Sequence, residues 1–518
     1  MTDELNAIRL MDITKSFGDV LANHNISLDV RYGEILALLG ENGSGKTTLM
    51  NILSGIYYPD SGHIIVGGEE VSIHSPKDAH DLGIGMIHQH FKLVDVLTAT
   101  ENIVLGLKGD ARLNRKDLNE TIGKLSAKYG FEIDPAKKIY NMSVSEKQTV
   151  EIIKLLYRGA EILILDEPTA VLTPQESEKL FKVLRNMRND GKAIVIITHK
   201  LNEVLAVSDR VSILRKGCSV GTVITGDTNR QELTELMVGR AVSLEIERPD
   251  PPAIKDAFLK VIDLTCVDSD GHTVLDNISF TLNRGEILGV AGIAGSGQRE
   301  LCEAITGLYP IKGGAILCRG ETPSGSFHEN IVGKTPTEII KKGVAMAFVP
   351  EDRLGMGLVA SMDMVDNMML KSYKNGKGPF TDRSTPKKMA EHMIKALDIV
   401  TPGVFTPISL LSGGNVQKVL LGREIASSPS VLLVAYPVRG LDINSSYTIY
   451  DLLNEQKKKN VAILYIGEDL DVLLELCDRI MVLCGGKVSG IVDAKKTSKD
   501  KLGLMMVHAD SEKDGETA

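Results

Sequence analysis

The sequence predicts an α/β protein in which one domain occurs twice, each copy built around a mainly parallel sheet. A glycine-rich loop at residues 40–47 joins an apolar strand pattern to a helical pattern. The same phrase returns at residues 292–299, an offset of 252 positions. Two further apolar runs, 162–165 and 193–197, lead into polar side chains. Strands of a parallel sheet carry such groups at the edge where ligands bind, and a repeat this long indicates duplicated domains.

Residues 7–33 alternate apolar and polar positions, which predicts antiparallel strands ahead of the loop. The loop itself reads G-x-x-x-x-G-K-T, the pattern of a phosphate-binding loop between a strand and a helix. Its glycines let backbone N–H groups face phosphate oxygens, and the following helix directs its positive end at the same anion. Lys46 supplies a cation for the β and γ phosphates, and Thr47 a hydroxyl for Mg²⁺. The predicted nucleotide-contacting residues here are Gly40, Glu41, Asn42, Gly43, Ser44, Gly45, Lys46, Thr47 and Thr48.

The repeat and the composition together set the domain limits. Ser143 and Ser412 keep an offset of 269, so the second copy carries 17 extra residues between its loop and this serine. A Pro-rich polar stretch between the copies has the composition of a linker. We expect a first domain at 1–246, a linker at 247–255, a second domain at 256–505 and a polar tail at 506–518.

The overall composition excludes several classes of protein. The formal net charge of -9 argues against a nucleic-acid binder with a broad basic face. The six cysteines form no C-x-x-C pair, so zinc ribbons are not expected. We expect a reduced cytosolic setting instead. The sequence has no run of 18 apolar residues and no apolar signal core after Met1. We therefore expect the chain to serve a membrane, if at all, only through partners.

Two acids follow the apolar run at residues 162–165. Asp166 suits Mg²⁺ through its water shell, and Glu167 suits general-base work on an attacking water. A strand that simply ends in an acidic turn is the alternative, and the phosphate loop makes that alternative weak. Asp166 is therefore a predicted metal ligand and Glu167 a predicted catalytic base.

Three further side chains are candidates for the same site. His199 follows a strand that is expected to lie beside the strand ending in Asp166 and Glu167. A contact of His199 with the γ-phosphate is therefore plausible, and a purely structural role is the alternative. Gln89 can ligate Mg²⁺ and position water, whereas its neighbours His88 and His90 lack the further ligands of a zinc site. Phe17 is either a core aromatic or a stacking surface for adenine, and we favour stacking.

These motifs resemble those of the ATP-binding cassette (ABC) ATPases over nearly the whole chain, about residues 7–505. The first copy has Walker A (residues 40–47), the glutamine loop, Walker B and the switch histidine. The second copy has a full signature at residues 411–415, L-S-G-G-N. The resemblance implies two P-loop ABC nucleotide-binding domains, each with a RecA-like core sheet, an antiparallel β subdomain and a helical subdomain. It also implies ATP and Mg²⁺ as cofactors.

In that family two cassettes close head to tail, and each ATP lies between the Walker motifs of one and the signature of the other. The resemblance therefore implies one intact site, in which Ser412, Gly413 and Gly414 face the first copy's motifs. The implied catalytic residues are Glu167, His199 and Lys46. The implied metal ligands are Thr47, Gln89 and Asp166.

The second implied site has lost its chemistry. The lysine position of its loop is Gln298, and the Asp-Glu pair is Ala435-Tyr436. Acids occupy the glutamine-loop and switch positions, Glu351 and Glu468, and their repulsion is expected to oppose a triphosphate. The opposing signature has also lost both glycines. Losses confined to one composite site support the head-to-tail interpretation.

Tandem cassettes with one degenerate site resemble the ATP-binding subunits of bacterial sugar and nucleoside importers. Residues 87–94 and 97–106 are most similar to the nucleoside branch, which works with basic-membrane-protein-type lipoproteins. The resemblance implies an ATPase on the cytoplasmic face of the membrane, two permease partners and, indirectly, a substrate-binding lipoprotein. A simple-sugar importer is the main alternative. A ribosome-associated tandem cassette, a DNA-repair cassette and a non-enzymatic scaffold are remote ones.

Overall fold

The computed structural model describes residues 6–18, 20–88, 91–107, 115–170, 172–240, 244–252, 256–322, 325–342, 344–373 and 381–507. The chain forms two compact units, residues 1–243 and 244–518. Among the described residues, no helix combines the length and the apolar character needed to cross a membrane.

The first unit contains a six-stranded core sheet in the order β10-β9-β3-β8-β7-β6 and a four-stranded sheet in the order β2-β1-β4-β5. The core sheet is parallel except for β10, and the smaller sheet is antiparallel. Its strands are β1 (Asn6–Phe17), β2 (Val20–Arg31), β3 (Ile35–Leu39), β4 (Ser61–Val66), β5 (Glu69–Val71), β6 (Ile84–Ile87), β7 (Ile162–Asp166), β8 (Ala193–Ile197), β9 (Arg210–Arg215) and β10 (Cys218–Ile224). Its helices are α1 (Lys46–Leu53), α2 (Pro76–Asp81), α3 (Ala99–Val104), α4 (Arg115–Tyr129), α5 (Val144–Tyr157), α6 (Pro174–Asn189), α7 (Leu201–Val207) and α8 (Arg230–Val238).

The second unit repeats this plan, with sheets in the orders β16-β17-β18-β13-β19-β20 and β12-β11-β14-β15. Its strands are β11 (Ala257–Val267), β12 (Thr273–Asn283), β13 (Ile287–Gly292), β14 (Ile311–Thr322), β15 (Gly325–Asn330), β16 (Met346–Val349), β17 (Val431–Ala435), β18 (Ala462–Ile466), β19 (Arg479–Cys484) and β20 (Lys487–Asp493). Its helices are α9 (Gln298–Ile305), α10 (Pro336–Lys341), α11 (Met364–Met369), α12 (Ser384–Ala396), α13 (Gly413–Ala426), α14 (Ile443–Lys458), α15 (Leu470–Leu476) and α16 (Lys499–Val507).

Burial explains why the central strands read as continuous apolar runs. Every residue of β3, β8, β17 and β18 is buried, because the core sheet is covered on both faces, by helices and by the antiparallel sheet. In each unit a separate apolar cluster lies between the core sheet and the antiparallel sheet. Helices α3, α4 and α5 enclose another cluster in the first unit. The predicted α/β class, with core sheet, antiparallel subdomain and helical subdomain, is confirmed.

The segment that follows the first unit is hydrogen-bonded to the second. Tyr447 Oη donates to the carbonyl oxygen of Leu244 (3.1 Å), and Asn454 Nδ2 donates to that of Glu247 (3.2 Å). Lys457 Nζ donates to the carbonyl oxygen of Pro249 (2.5 Å). Residues 244–249 are thus attached to α14 by these hydrogen bonds, and we call this segment the strap on α14.

Substituting Lys457 by methionine should lower the free energy of unfolding of the second unit by about 3 kcal/mol. The Lys457 side chain is 1% exposed and pairs with Asp478, itself 7% exposed, at 2.7 Å. Burial raises the pKa of Asp478, and the ammonium of Lys457 opposes that rise, so methionine leaves a buried carboxylate without its cation. Chemical unfolding measures the effect. Lys458→Met is the matched control, because that side chain is 55% exposed and its pair with Glu455 contributes less than about 1 kcal/mol. Equal effects of the two substitutions would contradict this interpretation.

Candidate functional site

The glycine-rich loop connects β3 to α1 at the carboxyl edge of the core sheet. Lys46 is the first residue of α1 and is 7% exposed. Its ammonium donates to the carbonyl oxygens of Gly40 (2.7 Å) and Glu41 (2.9 Å). Burial lowers the pKa of Lys46, and the carboxylates of Glu167, Asp166 and Glu41 oppose that change. The ammonium of Lys46 therefore lies within the loop, close to the two acids at the end of β7.

Two glycines of the loop have no room for a side chain. A Cβ on Gly40 would lie 2.3 Å from the carbonyl oxygen of Leu214. Gly45 has φ +96°, and a Cβ there would lie 2.3 Å from Asn23 Nδ2. The hydroxyl of Ser44 is buried and has no hydrogen-bond partner among the described residues. A buried hydroxyl needs a partner, and a phosphate oxygen supplies one, so the loop fits the predicted ligand.

Asp166, the last residue of β7, and Glu167, directly after it, differ in environment. Burial, followed by the charge of Glu167, raises the pKa of Asp166 to about 6. A hydrogen bond from His199 lowers the pKa of Glu167, against the effect of burial. The two neighbouring carboxylates repel one another, and a divalent cation bound between them would relieve that repulsion. The donor set therefore fits Mg²⁺.

Glu167 is held in an unusual backbone conformation. Its φ is +47°, a left-handed value that costs energy for a residue with a side chain. Its backbone N–H donates to the carbonyl oxygen of Ile197 (2.9 Å) on β8, which pairs with β7 in parallel as predicted. His199 Nδ1 lies 2.8 Å from Glu167 Oε1. The structure thus brings together two of the three predicted catalytic side chains, with Lys46 near both acids.

Replacing Asp166 by asparagine should stabilise the first unit at pH 7.5 by about 1–2 kcal/mol, after allowance for its partial exposure. The folded-state pKa of about 6 lies above the ordinary value of 3.8. The carboxyl group therefore contributes stability below about pH 4 that is lost as the pH rises through 6. Asparagine removes the cost of the charged form. Calorimetry should show a gain at pH 7.5 that falls to roughly half at pH 5. A variant less stable than the wild type at pH 7.5 would contradict the assignment.

The remaining candidates of the first unit are distributed around this centre. Phe17, at the end of β1, is 43% exposed, which excludes the core alternative. Asn42 and Gly43 are exposed on the loop, Thr47 is exposed in the first turn of α1, and Thr48 beside it is partly buried. Gln89 and His90 lie outside the described residues.

In the second unit, the signature serine takes no part in helix capping. Ser412 is the N-cap of α13, yet its side chain makes no capping hydrogen bond. Its hydroxyl instead accepts a hydrogen bond from Asn415 Nδ2 (2.9 Å). A Cβ on Gly414 would lie 2.8 Å from Ser445 Oγ, so this glycine lets the signature lie against α14.

The second unit's own loop keeps the shape but not the charge of its twin. Gln298 is 3% exposed, and its Nε2 donates to the carbonyl oxygen of Ile293 (3.1 Å), the counterpart of the bond from Lys46 to Glu41. Arg299 Nε pairs with Glu303 Oε1 at 2.6 Å. The neutral amide of Gln298 thus makes a hydrogen bond within the loop like that of Lys46, but it provides no positive charge for a phosphate.

The prediction that Glu351 and Glu468 repel a triphosphate is only partly correct, because the guanidinium of Arg439 lies between the two carboxylates. Its guanidinium forms an ion pair with Glu351, and its Nε lies 3.1 Å from Glu468 Oε1. The same guanidinium lies 5.9 Å from the ring centre of Tyr436. The single guanidinium therefore balances one of the two carboxylate charges at the disabled site. Sequence reasoning missed Arg439, although a basic residue directly before Gly440 was visible.

Comparisons with known proteins identify the family. A model described as ABC transporter matches residues 23–170 and 275–437. The nucleoside import ATP-binding protein NupA of Lactococcus lactis subsp. cremoris is 43% identical over 506 residues, which cover 96% of this chain and 98% of that protein. The guanosine import ATP-binding protein NupO of Bacillus subtilis is 41% identical over 96% of this chain and 97% of that protein. The ribose import ATP-binding protein RbsA of Clostridium perfringens is 37% identical over 97% of this chain and 98% of that protein.

A crystal structure of an ATP-binding cassette of an ABC transporter, in its ADP conformation, is 22% identical with a TM-score of 0.41, covering 46% of this chain and all of that chain. The family model covers more than half of the chain and falls on both units. The chain therefore belongs to the ABC transporter family, whose cassettes bind ATP, and with its two cassettes it is an ATP-hydrolysing subunit of that family.

Proposed function

We propose that this ATPase subunit of an ABC importer drives the uptake of nucleosides. The observation that carries the proposal is the similarity over nearly the full length to proteins named for nucleoside and guanosine import, at 43% and 41% identity. A relative named for ribose import is 37% identical, so simple-sugar uptake is the second candidate.

We further propose roles for the residues at the first unit's site. ATP would supply the phosphoanhydride bond, and Thr47, Asp166 and Gln89 would hold a Mg²⁺ that supplies positive charge next to its phosphates. Lys46 adds a second cation next to them. The lowered pKa of Glu167 keeps its carboxylate ionised at neutral pH. In this form Glu167 accepts the proton of the attacking water. His199 holds that carboxylate in place through the 2.8 Å contact.

The second unit contributes the other half of the competent site in this proposal. Ser412, Gly413 and Gly414 would close over the γ-phosphate, since backbone N–H groups and a hydroxyl that does not cap its helix stabilise developing negative charge. The support is chemical: the loss of Lys, Asp and Glu from the second unit's own motifs coincides with the loss of both signature glycines from the first. One ATP would be hydrolysed per chain in each cycle.

The partners and location follow from the same proposal. Two permease subunits would carry the substrate, with this chain bound to them at the cytoplasmic face of the membrane. A substrate-binding lipoprotein would deliver the nucleoside. Apolar side chains that are exposed shortly after the glutamine-loop region, such as Val94 (41%) and Val96 (68%), are candidates to contact a permease.

Uptake by cells tests the substrate directly. A strain lacking this chain is complemented with the wild type, with Lys46→Ala, or with the matched control Gln298→Ala at the twin position. The wild type and the control should restore uptake of labelled guanosine and uridine, and Lys46→Ala should not. Restoration of ribose uptake alone would favour the sugar importer and contradict nucleoside specificity.

A further inference from the structure

The loop that follows α1 holds the backbone just ahead of Phe17. Asp60 Oδ2 accepts hydrogen bonds from the backbone N–H and the hydroxyl of Ser16, both at 2.7 Å. Asp60 Oδ1 accepts one from Lys15 Nζ at 2.8 Å. The backbone N–H of Asp60 donates to the carbonyl oxygen of Thr14 (2.8 Å). One carboxylate therefore fixes the two residues before Phe17 through charge-assisted hydrogen bonds.

A second residue of the same loop contacts the ring itself. The ring of Tyr57 lies edge to face with that of Phe17, with centres 5.1 Å apart and planes at 69°. Lys15 Nζ lies 5.5 Å from the Phe17 centre. Phe17 is 43% exposed and Tyr57 37% exposed, so this pair lies at the surface and is not part of the core. An exposed aromatic ring held from one side is suited to stack on a flat base.

The loop also joins Phe17 to the phosphate-binding helix. The backbone N–H groups of Ile56 and Tyr57 both donate to the carbonyl oxygen of Asn51, at 2.9 and 3.1 Å. Asn51 lies in α1, the helix that begins at Lys46. The two ends of the predicted nucleotide site are thereby connected through a short, hydrogen-bonded segment.

The second copy provides an internal comparison. Strand pairing fixes the equivalent positions, because Lys15 and Ser16 lie opposite Asn23 and Leu21 just as Cys266 and Val267 lie opposite Leu275 and Thr273. The positions of Lys15, Ser16, Phe17 and Asp60 are therefore occupied by Cys266, Val267, Asp268 and Lys312. Tyr57 alone is retained, as Tyr309. The carboxylate and its donors have thus been lost together with the aromatic ring, in the copy that also lost the phosphate-binding lysine. This joint loss indicates that the four residues act as a set.

We infer that Asp60 and Tyr57 are positioning residues that hold the Phe17 ring against the purine base of ATP. The inference rests on the proposed function, in which the first unit binds ATP, and on the prediction from the sequence that Phe17 stacks on the adenine. Both residues lie outside the phosphate-binding loop at residues 40–47 and outside the predicted catalytic set, so we expect them to act on nucleotide binding and not on the chemical step. Substitution should therefore raise KM for ATP and leave kcat nearly unchanged.

The test measures KM for ATP and kcat of the assembled transporter. Asp60→Asn and Tyr57→Leu should each raise KM about fivefold with kcat within about twofold, whereas Tyr57→Phe keeps the ring and should retain the wild-type KM. Asp190→Asn is the matched control, since Asp190 also accepts hydrogen bonds from a lysine and a hydroxyl, Lys128 (2.7 Å) and Tyr129 (2.6 Å). It should change neither constant.

A double substitution separates positioning from a general structural effect. In a Phe17→Ala background, Asp60→Asn should raise KM no further, because it acts through the missing ring. Additive effects, a fall in kcat at constant KM, or no effect of Phe17→Ala would each overturn the inference. The proposed function is tested separately by Glu167→Gln: activity that survives this substitution overturns the proposed site, whereas loss of activity with an unchanged KM in Asp60→Asn overturns only the positioning role.

Discussion

Glu167→Gln should reduce ATP hydrolysis by about 100-fold or more while ATP still binds. Glutamine has the shape of glutamate but does not accept a proton, so the attacking water is no longer activated. The substitution keeps the left-handed backbone at this position and the packing around β7. The rate of phosphate release by the assembled transporter and the equilibrium binding of ATP measure the two effects.

The internal repeat supplies the control for this substitution. Tyr436 occupies the equivalent position and has nearly the same backbone conformation, with φ +49° against +47° for Glu167. Its backbone N–H donates to the carbonyl oxygen of Ile466 (2.9 Å), just as that of Glu167 donates to Ile197. Tyr436→Phe should therefore leave hydrolysis within about twofold of the wild type. Comparable losses from both substitutions, or activity retained in Glu167→Gln, would show that the base has been misassigned.

The two signature serines should give opposite results when changed to alanine. Ser412→Ala should lower kcat about 10- to 100-fold with little loss of stability, because this hydroxyl does not cap its helix. Ser143→Ala should lower the free energy of unfolding of the first unit by about 1 kcal/mol with nearly normal activity. The reason lies in its capping box. Ser143 Oγ accepts from the N–H of Glu146 (3.2 Å), whose carboxylate accepts from the N–H of Ser143 (2.7 Å).

Each serine variant serves as the control for the other, with ATPase assays and chemical unfolding applied to both. Each substitution removes one hydroxyl, so the two variants differ in which signature is altered and in whether a helix cap is lost. If Ser143→Ala abolished hydrolysis while Ser412→Ala did not, the second signature would not serve the competent site.

Local patterns were sufficient to predict much of the fold and the site. The loop at residues 40–47, the acids after β7 and the histidine after β8 follow from runs of a few residues whose spacing is set by backbone geometry. The parallel pairing of β7 with β8 then places Glu167 next to His199. The duplicated phrase predicted the second unit, because homologous runs in one chain fold alike.

Contacts between distant segments were not predictable in this way. Arg439 pairs with Glu351, 88 positions away, and Asp60 with Ser16, 44 positions away. Neither pair has a periodic or motif signal, since each depends on how loops from different elements converge. The strap on α14 was hidden for the same reason: the composition of residues 247–255 indicates a linker, but the hydrogen bond from Lys457 to Pro249 depends on tertiary packing.

The number of ADP molecules trapped per chain by orthovanadate during hydrolysis tests the central claim, that each chain has one competent ATP site. The assembled transporter is incubated with labelled ATP, Mg²⁺ and vanadate, and free nucleotide is removed before counting. We expect one trapped ADP per chain and none above background in Glu167→Gln. Two trapped ADP molecules per chain would contradict it.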